Sequence, residues 1–155
     1  MTAAENAAAR AYERAAAIDR RLPSATRDRI AAWAELFAAA NVGAEDAVAA
    51  VQQYYRDPSN AYSIMPSNII ALVAAMPPTS SEHRFRAFIA KWVAHPYSGQ
   101  VQLVTGLEWS ADDYPPPPEI YGDTEAERAY HMERLKEAVR DNWSDIARRV
   151  VSKPT

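Results

Sequence analysis

The chain has 155 residues, 48% hydrophobic and 24% charged, with a formal net charge of −3 and no cysteine. That length fits one domain, or a core domain with an appendage. Its charge balance offers no global attraction to nucleic acid or an acidic membrane, and the lack of cysteine excludes disulfides, a thiolate nucleophile and cysteine-ligated metal.

No apolar run approaches the roughly 20 residues needed to span a bilayer. The opening MTAAENAAARAYER disperses acids and arginines through alanine, unlike a secretory leader. A soluble cytoplasmic protein is expected.

Alanine, the best helix former, dominates from Ala3 to Leu22. Ala8, Ala11, Ala15, Ile18 and Leu22 share one face, the first residues are expected to fray, and Pro23 ends the helix. Ser24 or Thr26 caps the next helix, whose stripe is Ile30, Trp33, Phe37 and Ala40. Asn41-Val42-Gly43 stops it, because Asn and Gly tolerate the left-handed conformation. A third helix runs from about Ala44 to Arg56 with Ala47, Val48, Val51, Tyr54 and Tyr55 inward; Glu45 and Asp46 suit its N-terminus. Asp57-Pro58-Ser59-Asn60 reads as a turn. Pro66 starts a fourth helix, with Ile69, Leu72, Val73 and Met76 on its apolar face.

Ser80 or Ser81 opens a fifth helix that ends near Ala94 and carries Phe85, Phe88, Ile89, Trp92 and Val93. Between Ser98 and Trp109, Val101, Leu103 and Thr105 alternate with other residues as in a strand, so an irregular stretch or short hairpin is expected. Residues 101–123 hold five acids and no bases, together with four consecutive prolines, which predicts a solvated, semi-rigid connector. Thr124 and Glu127 have capping-box spacing. A single helix is expected to run on to about Val151 along Met132, Leu135, Val139, Trp143, Ile146 and Val150.

The chemistry-bearing residues are sparse. His83, His95 and His131 lack metal-ligand spacing; Glu127 and His131, one turn apart, read as a solvated pair. The carboxylate pairs Glu45-Asp46 and Asp112-Asp113 likewise read as solvated charge. No phosphate-binding glycine loop or nucleophile elbow occurs. No catalytic residue, metal site or cofactor is therefore predicted, and the chain is expected not to be an enzyme. Trp33, Phe37, Val51, Tyr54, Ile69, Phe88 and Trp92 are predicted as core. Tyr62, Met65 and Tyr97 lie in or beside loops, where large side chains are harder to bury, and are the candidate partner-binding residues.

Arg20, Arg21, Arg27 and Arg29 are the candidate nucleic-acid contacts of an alternative, DNA-binding reading. Helices two and three have a helix-turn-helix outline. Its recognition helix would start Ala44-Glu45-Asp46, presenting acids to phosphate.

One set of segments resembles a known pattern: Ile18-Asp19-Arg20, Ala32-Trp33, Asp46-Ala47 with Ala50-Val51 and Tyr54-Tyr55, then Ile64-Met65-Pro66-Ser67-Asn68-Ile69. Over about residues 15–76 it is similar to small helical proteins of actinobacterial phages and prophages, in the manner of phage replicative-helicase loader and inhibitor proteins. The resemblance implies that Trp33, Tyr54, Met65, Pro66 and Ile69 are scaffold. It implies no catalytic residue, and a hexameric replicative helicase as the partner. Residues 80–155 lie outside it.

An all-α protein is thus expected: a helical bundle over residues 1–95, an acidic proline-rich connector over 96–123, and a C-terminal helix within 124–155. That helix would dock back or pair with a second copy through residues 124–151. The first functional expectation is a replication accessory protein that loads or restrains a helicase; DNA binding, or an oligomeric structural or regulatory role, are the alternatives.

Overall fold

A computed structural model describes residues 1–152; the last three residues of the expected 124–155 segment lie outside the described residues. The fold is all-α. Among the described residues there are eight α-helices, two short 3-10 turns and no strand. The helices are α1 (Ala3–Ile18), α2 (Arg27–Ala40), α3 (Ala44–Arg56), α4 (Pro66–Ala75), α5 (Glu82–Val93), α6 (Gln100–Thr105), α7 (Thr124–Asp141) and α8 (Trp143–Val150). No helix among the described residues is long and apolar enough to cross a membrane. The chain divides into two compact units, Met1–Pro77 and Pro78–Thr155. The division falls at the Pro77-Pro78 pair and not at residue 95, so α5 belongs to the C-terminal unit.

In the first unit α1 packs on α2 and α3, and α4 packs on α3 and α2. Small side chains make this close: Ala7, Ala8, Ala11 and Ala15 of α1 meet Ala47, Ala50 and Val51 of α3 in one core with Phe37 and Ile69. Tyr12, absent from the predicted face, is fully buried, with its ring edge-on to Trp33 at 5.0 Å. Thr2 and Glu5 form a capping box, so the first turn is tied and not frayed. The α1 helix stops at Ile18, four residues earlier than expected. Ile18 is exposed because Asp19 leaves the helix with extended backbone and turns its own side chain inward. Thr26 caps α2, and Asn41 ends it in the left-handed conformation at φ 52°.

In the second unit Phe85, Ile89, Val93, Val101, Leu135, Val139 and Ile146 form the core. Phe88 and Trp92, predicted as core, are only partly buried and flank it; a wide aromatic face on a short helix exceeds what one partner can cover. Ser81 caps α5 through its hydroxyl. The expected strand or irregular stretch contains α6, bracketed by Gly99 at φ 73° and Gly106 at φ 69°, a conformation that glycine adopts without strain. Val101 and Thr105 are four apart and satisfy helix and strand periodicity alike. Leu103 decides between them: it is 79% exposed, while Val101 and Thr105 are buried.

The expected single C-terminal helix is two. Asn142 ends α7 and opens α8. Its amide donates to the Ala138 carbonyl at 2.8 Å, competing with the regular ladder. The break carries Ile146 into the core beside Leu135 and Val139, so this stripe docks within its own unit. The cap of α7 is Asp123, not Thr124. Asp123 accepts from the Ala126 N–H, and Glu127 reaches back to the Gly122 N–H.

Candidate functional site

Asp19 is a carboxylate of the first unit bound by the backbone and guanidinium of Arg21 and by two hydroxyls. Its side chain is 4% exposed. Arg21 donates to Oδ1 from its backbone N–H at 3.0 Å and from Nε at 2.9 Å, and to Oδ2 from Nη2 at 3.1 Å. The hydroxyls of Tyr55 and Ser63 donate to Oδ2 at 2.8 and 2.7 Å. A charge taken out of water persists only when its lone pairs are filled. The Arg21 guanidinium holds the Asp19 carboxyl well below the usual carboxylate range; burial opposes this, and the two hydroxyls reinforce it. Burial pushes the Tyr55 phenol up to about 12, the Ile64 N–H opposes the rise, and the Asp19 carboxylate adds to it.

This cluster fastens the loop over residues 57–65 from beneath. Arg21 Nη1 donates to the Ala61 carbonyl at 2.7 Å, and the Tyr54 hydroxyl to the Tyr62 carbonyl at 2.8 Å. The Tyr55 oxygen accepts from the buried Ile64 N–H at 3.1 Å. Asp57 closes the start of the loop on Ser59, and Asn68 closes its end on the Met65 N–H. Every one of these bonds holds backbone or a small polar group, and none of them uses the Tyr62 side chain. Tyr62 is 82% exposed and Met65 60%. The Met65 side chain is exposed while the residue caps α4 in a capping box with Asn68, whereas Trp33, Tyr54, Pro66 and Ile69 are buried. Apolar groups displayed on a backbone fixed by buried bonds lose little freedom on binding, which favours a protein interface.

Tyr97, the third candidate, belongs to the other unit. Its hydroxyl lies 2.7 Å from His131 Nδ1, and His131 Nε2 lies 2.8 Å from the Tyr114 carbonyl. A carbonyl only accepts, so Nε2 carries a hydrogen and donates to Tyr114, while Nδ1 shares a hydrogen bond with the Tyr97 hydroxyl. His131 is buried and not half of a solvated pair. With both nitrogens engaged, it serves as a tie between the turn after α5, the proline segment and α7. Tyr114 also stacks on Trp109, so the connector is fastened to the unit and not free in solvent. An open cleft of about 590 Å³ lies here, lined by Tyr97, Asp112, Tyr121, Glu127 and His131 among others. Burial, with Glu127 nearby, raises the Tyr97 phenol above its ordinary value, and Arg128 opposes the rise.

The arginines divide. Arg21 is spent on Asp19 and Ala61, and Arg29 donates to the Ser24 carbonyl at 3.1 Å while lying over the Tyr12 ring; Arg20 and Arg27 are exposed. Asp46, expected as solvated charge, is buried at the start of α3. Among the described residues no group of three or more His, Asp or Glu is placed to hold a metal ion. Sequence reasoning missed the Asp19, Tyr55, Ser63 and Ile64 cluster. Its only local trace is the pair Asp19 and Arg21, two residues apart. No protein-family model, curated protein or solved structure matches the chain.

Proposed function

We propose that the protein acts by contact and not by catalysis: it is a protein-binding module whose docking element is the loop over residues 57–65. The observation that carries this reading is the pairing of an exposed Tyr62 and Met65 with a backbone tied by the Asp19 cluster. Tyrosine and methionine are favoured at interfaces, and a preformed loop avoids much of the ordering cost of association.

The resemblance of residues 15–76 supports a replicative helicase as the partner, with the protein loading or restraining it. Light scattering on a sizing column, with a phage-host replicative helicase and ATP, tests this. The expected result is a complex of defined stoichiometry that survives moderate salt and is lost in the Tyr62→Ala/Met65→Ala double variant. A complex unaffected by that variant would remove the loop as the docking element. No complex with the helicase would remove the partner. Binding to DNA that falls steeply with salt would replace this reading with the nucleic-acid one.

A further inference from the structure

A groove of about 710 Å³ runs along the second unit between α5 and α7 and ends at the start of α8. Trp143 fixes its direction. Its indole N–H donates to Glu82 at 3.0 Å, and its ring lies 5.6 Å from Phe85. At the opposite end, Arg128 Nη2 donates to the Ala94 carbonyl at 3.0 Å. The start of α5 therefore faces the end of α7, and the two helices are antiparallel. The α5 side of the groove extends from Arg86 to Val93. At the α-helical rise per residue this is about 10 Å, or about two turns.

The floor is apolar, made by the edges of the core residues Ile89, Val93 and Val139, each no more than 6% exposed, with the half-buried Trp143 ring. The rim is cationic. Arg86, Lys136 and Arg140 line the groove, and no carboxylate does. Arg86 is anchored by Glu82 at 3.0 Å and lies over the Trp143 ring with its Cζ 4.3 Å from the centroid, which pins its charge at one end. Lys136 pairs with Glu133 at 3.2 Å, an exposed contact that a competing anion can replace at little cost. Arg140 is exposed and carries no ion pair among the described residues.

We propose that this groove binds an acidic amphipathic helix of a partner protein. The apolar face of that helix would lie on Ile89, Val93, Val139 and Trp143, and its flanking glutamates or aspartates would meet Arg140, Lys136 and Arg86. Helix-in-groove recognition needs a hydrophobic trough for residues spaced three and four apart, and the two-turn length supplies it. The sign of the rim selects the partner, because like charge brought to a rim of this kind is rejected. This surface lies in the second unit and does not depend on the loop bearing Tyr62 and Met65.

The test uses the whole chain and a fluorescein-labelled helical peptide of about 18 residues (about five turns), leucine on one face and glutamate on its flanks. A second peptide has the same leucines with lysine flanks. Binding is read by anisotropy, and the four tryptophan indole N–H resonances are followed by NMR, with Trp143 assigned by Trp143→Phe. The acidic peptide is expected to bind at least about tenfold more tightly than the basic one, with affinity falling as salt rises. It should shift the Trp143 indole resonance.

Lys136→Glu/Arg140→Glu changes two exposed side chains and is expected to invert the preference between the peptides. Ala90→Trp, at an exposed groove position, fills the trough with all charges kept and is expected to abolish binding of both. Equal affinity for the two peptides, or binding that leaves Trp143 unmoved, overturns the proposal. So does saturation by decanoate at these residues without peptide binding, which would make the groove a site for amphiphilic carboxylates.

Discussion

Removing one oxygen, in Tyr55→Phe, asks whether the Asp19 cluster holds the loop or merely decorates it. The phenol both donates to Asp19 and accepts from the Ile64 N–H. Ile64 is fully buried, so no water replaces the lost acceptor without opening the loop. A buried N–H left unpaired costs about 1–3 kcal/mol, and the lost phenol bonds raise the expected total to about 2–3 kcal/mol. With an m-value of about 1–3 kcal/mol/M, the urea midpoint of the first unit's transition falls by about 0.7–3 M.

Tyr54→Phe serves as comparator. It deletes a single bond, to the carbonyl of the exposed Tyr62, and is expected to cost about 1 kcal/mol. Urea unfolding followed by far-UV circular dichroism reads both. If Tyr55→Phe lies within about 0.5 kcal/mol of the parent, or below Tyr54→Phe, the cluster does not hold the loop. The preorganisation argument then fails.

The same cluster predicts an acid-sensitive stability. Because the folded chain depresses the Asp19 pKa, the native state binds fewer protons than the unfolded one. The stabilisation is complete above the ordinary aspartate value of about 3.9 and is lost as pH falls below it. Asp19→Asn is therefore expected to be less stable at neutral pH and to show a flatter acid limb, measured as urea midpoint against pH. At the alkaline end the raised Tyr55 pKa acts with opposite sign: its stabilisation is whole below about pH 10 and is lost as pH rises towards about 12. Phe37→Ala empties the fully buried centre of the first core and is expected to cost about 3–5 kcal/mol by the same assay. Gly106→Ala places a Cβ at φ 69°, 4.0 Å from the Arg149 guanidinium. The space is adequate and the conformation is not, so a loss of about 1 kcal/mol in the second unit's transition is expected from backbone strain alone.

The helical class and most helix positions were legible in the residues alone. The reason is range: caps, stripes and breakers act over about four residues. Thr26 and Ser81 cap where a hydroxyl precedes an apolar stripe, Asn41 stops α2, and Pro66 starts α4. The exposure of Tyr62, Met65 and Tyr97 was legible too, since a bulky apolar side chain in a short polar loop has little to pack against.

Polar burial and the grouping of helices were settled by long-range contacts. Asp19 finds Tyr55 and Ser63 from 36 and 44 residues away, and His131 finds Tyr97 from 34. Bonds of that span leave no periodic signal, so Asp19, Asp46 and His131 show no sign of burial until the fold places them inside. The stripe from Leu135 to Ile146 was visible, but whether it would bury against its own chain or a second copy depended on the bend at Asn142. A single side-chain bond to Ala138 marks that bend, and no local propensity announces it.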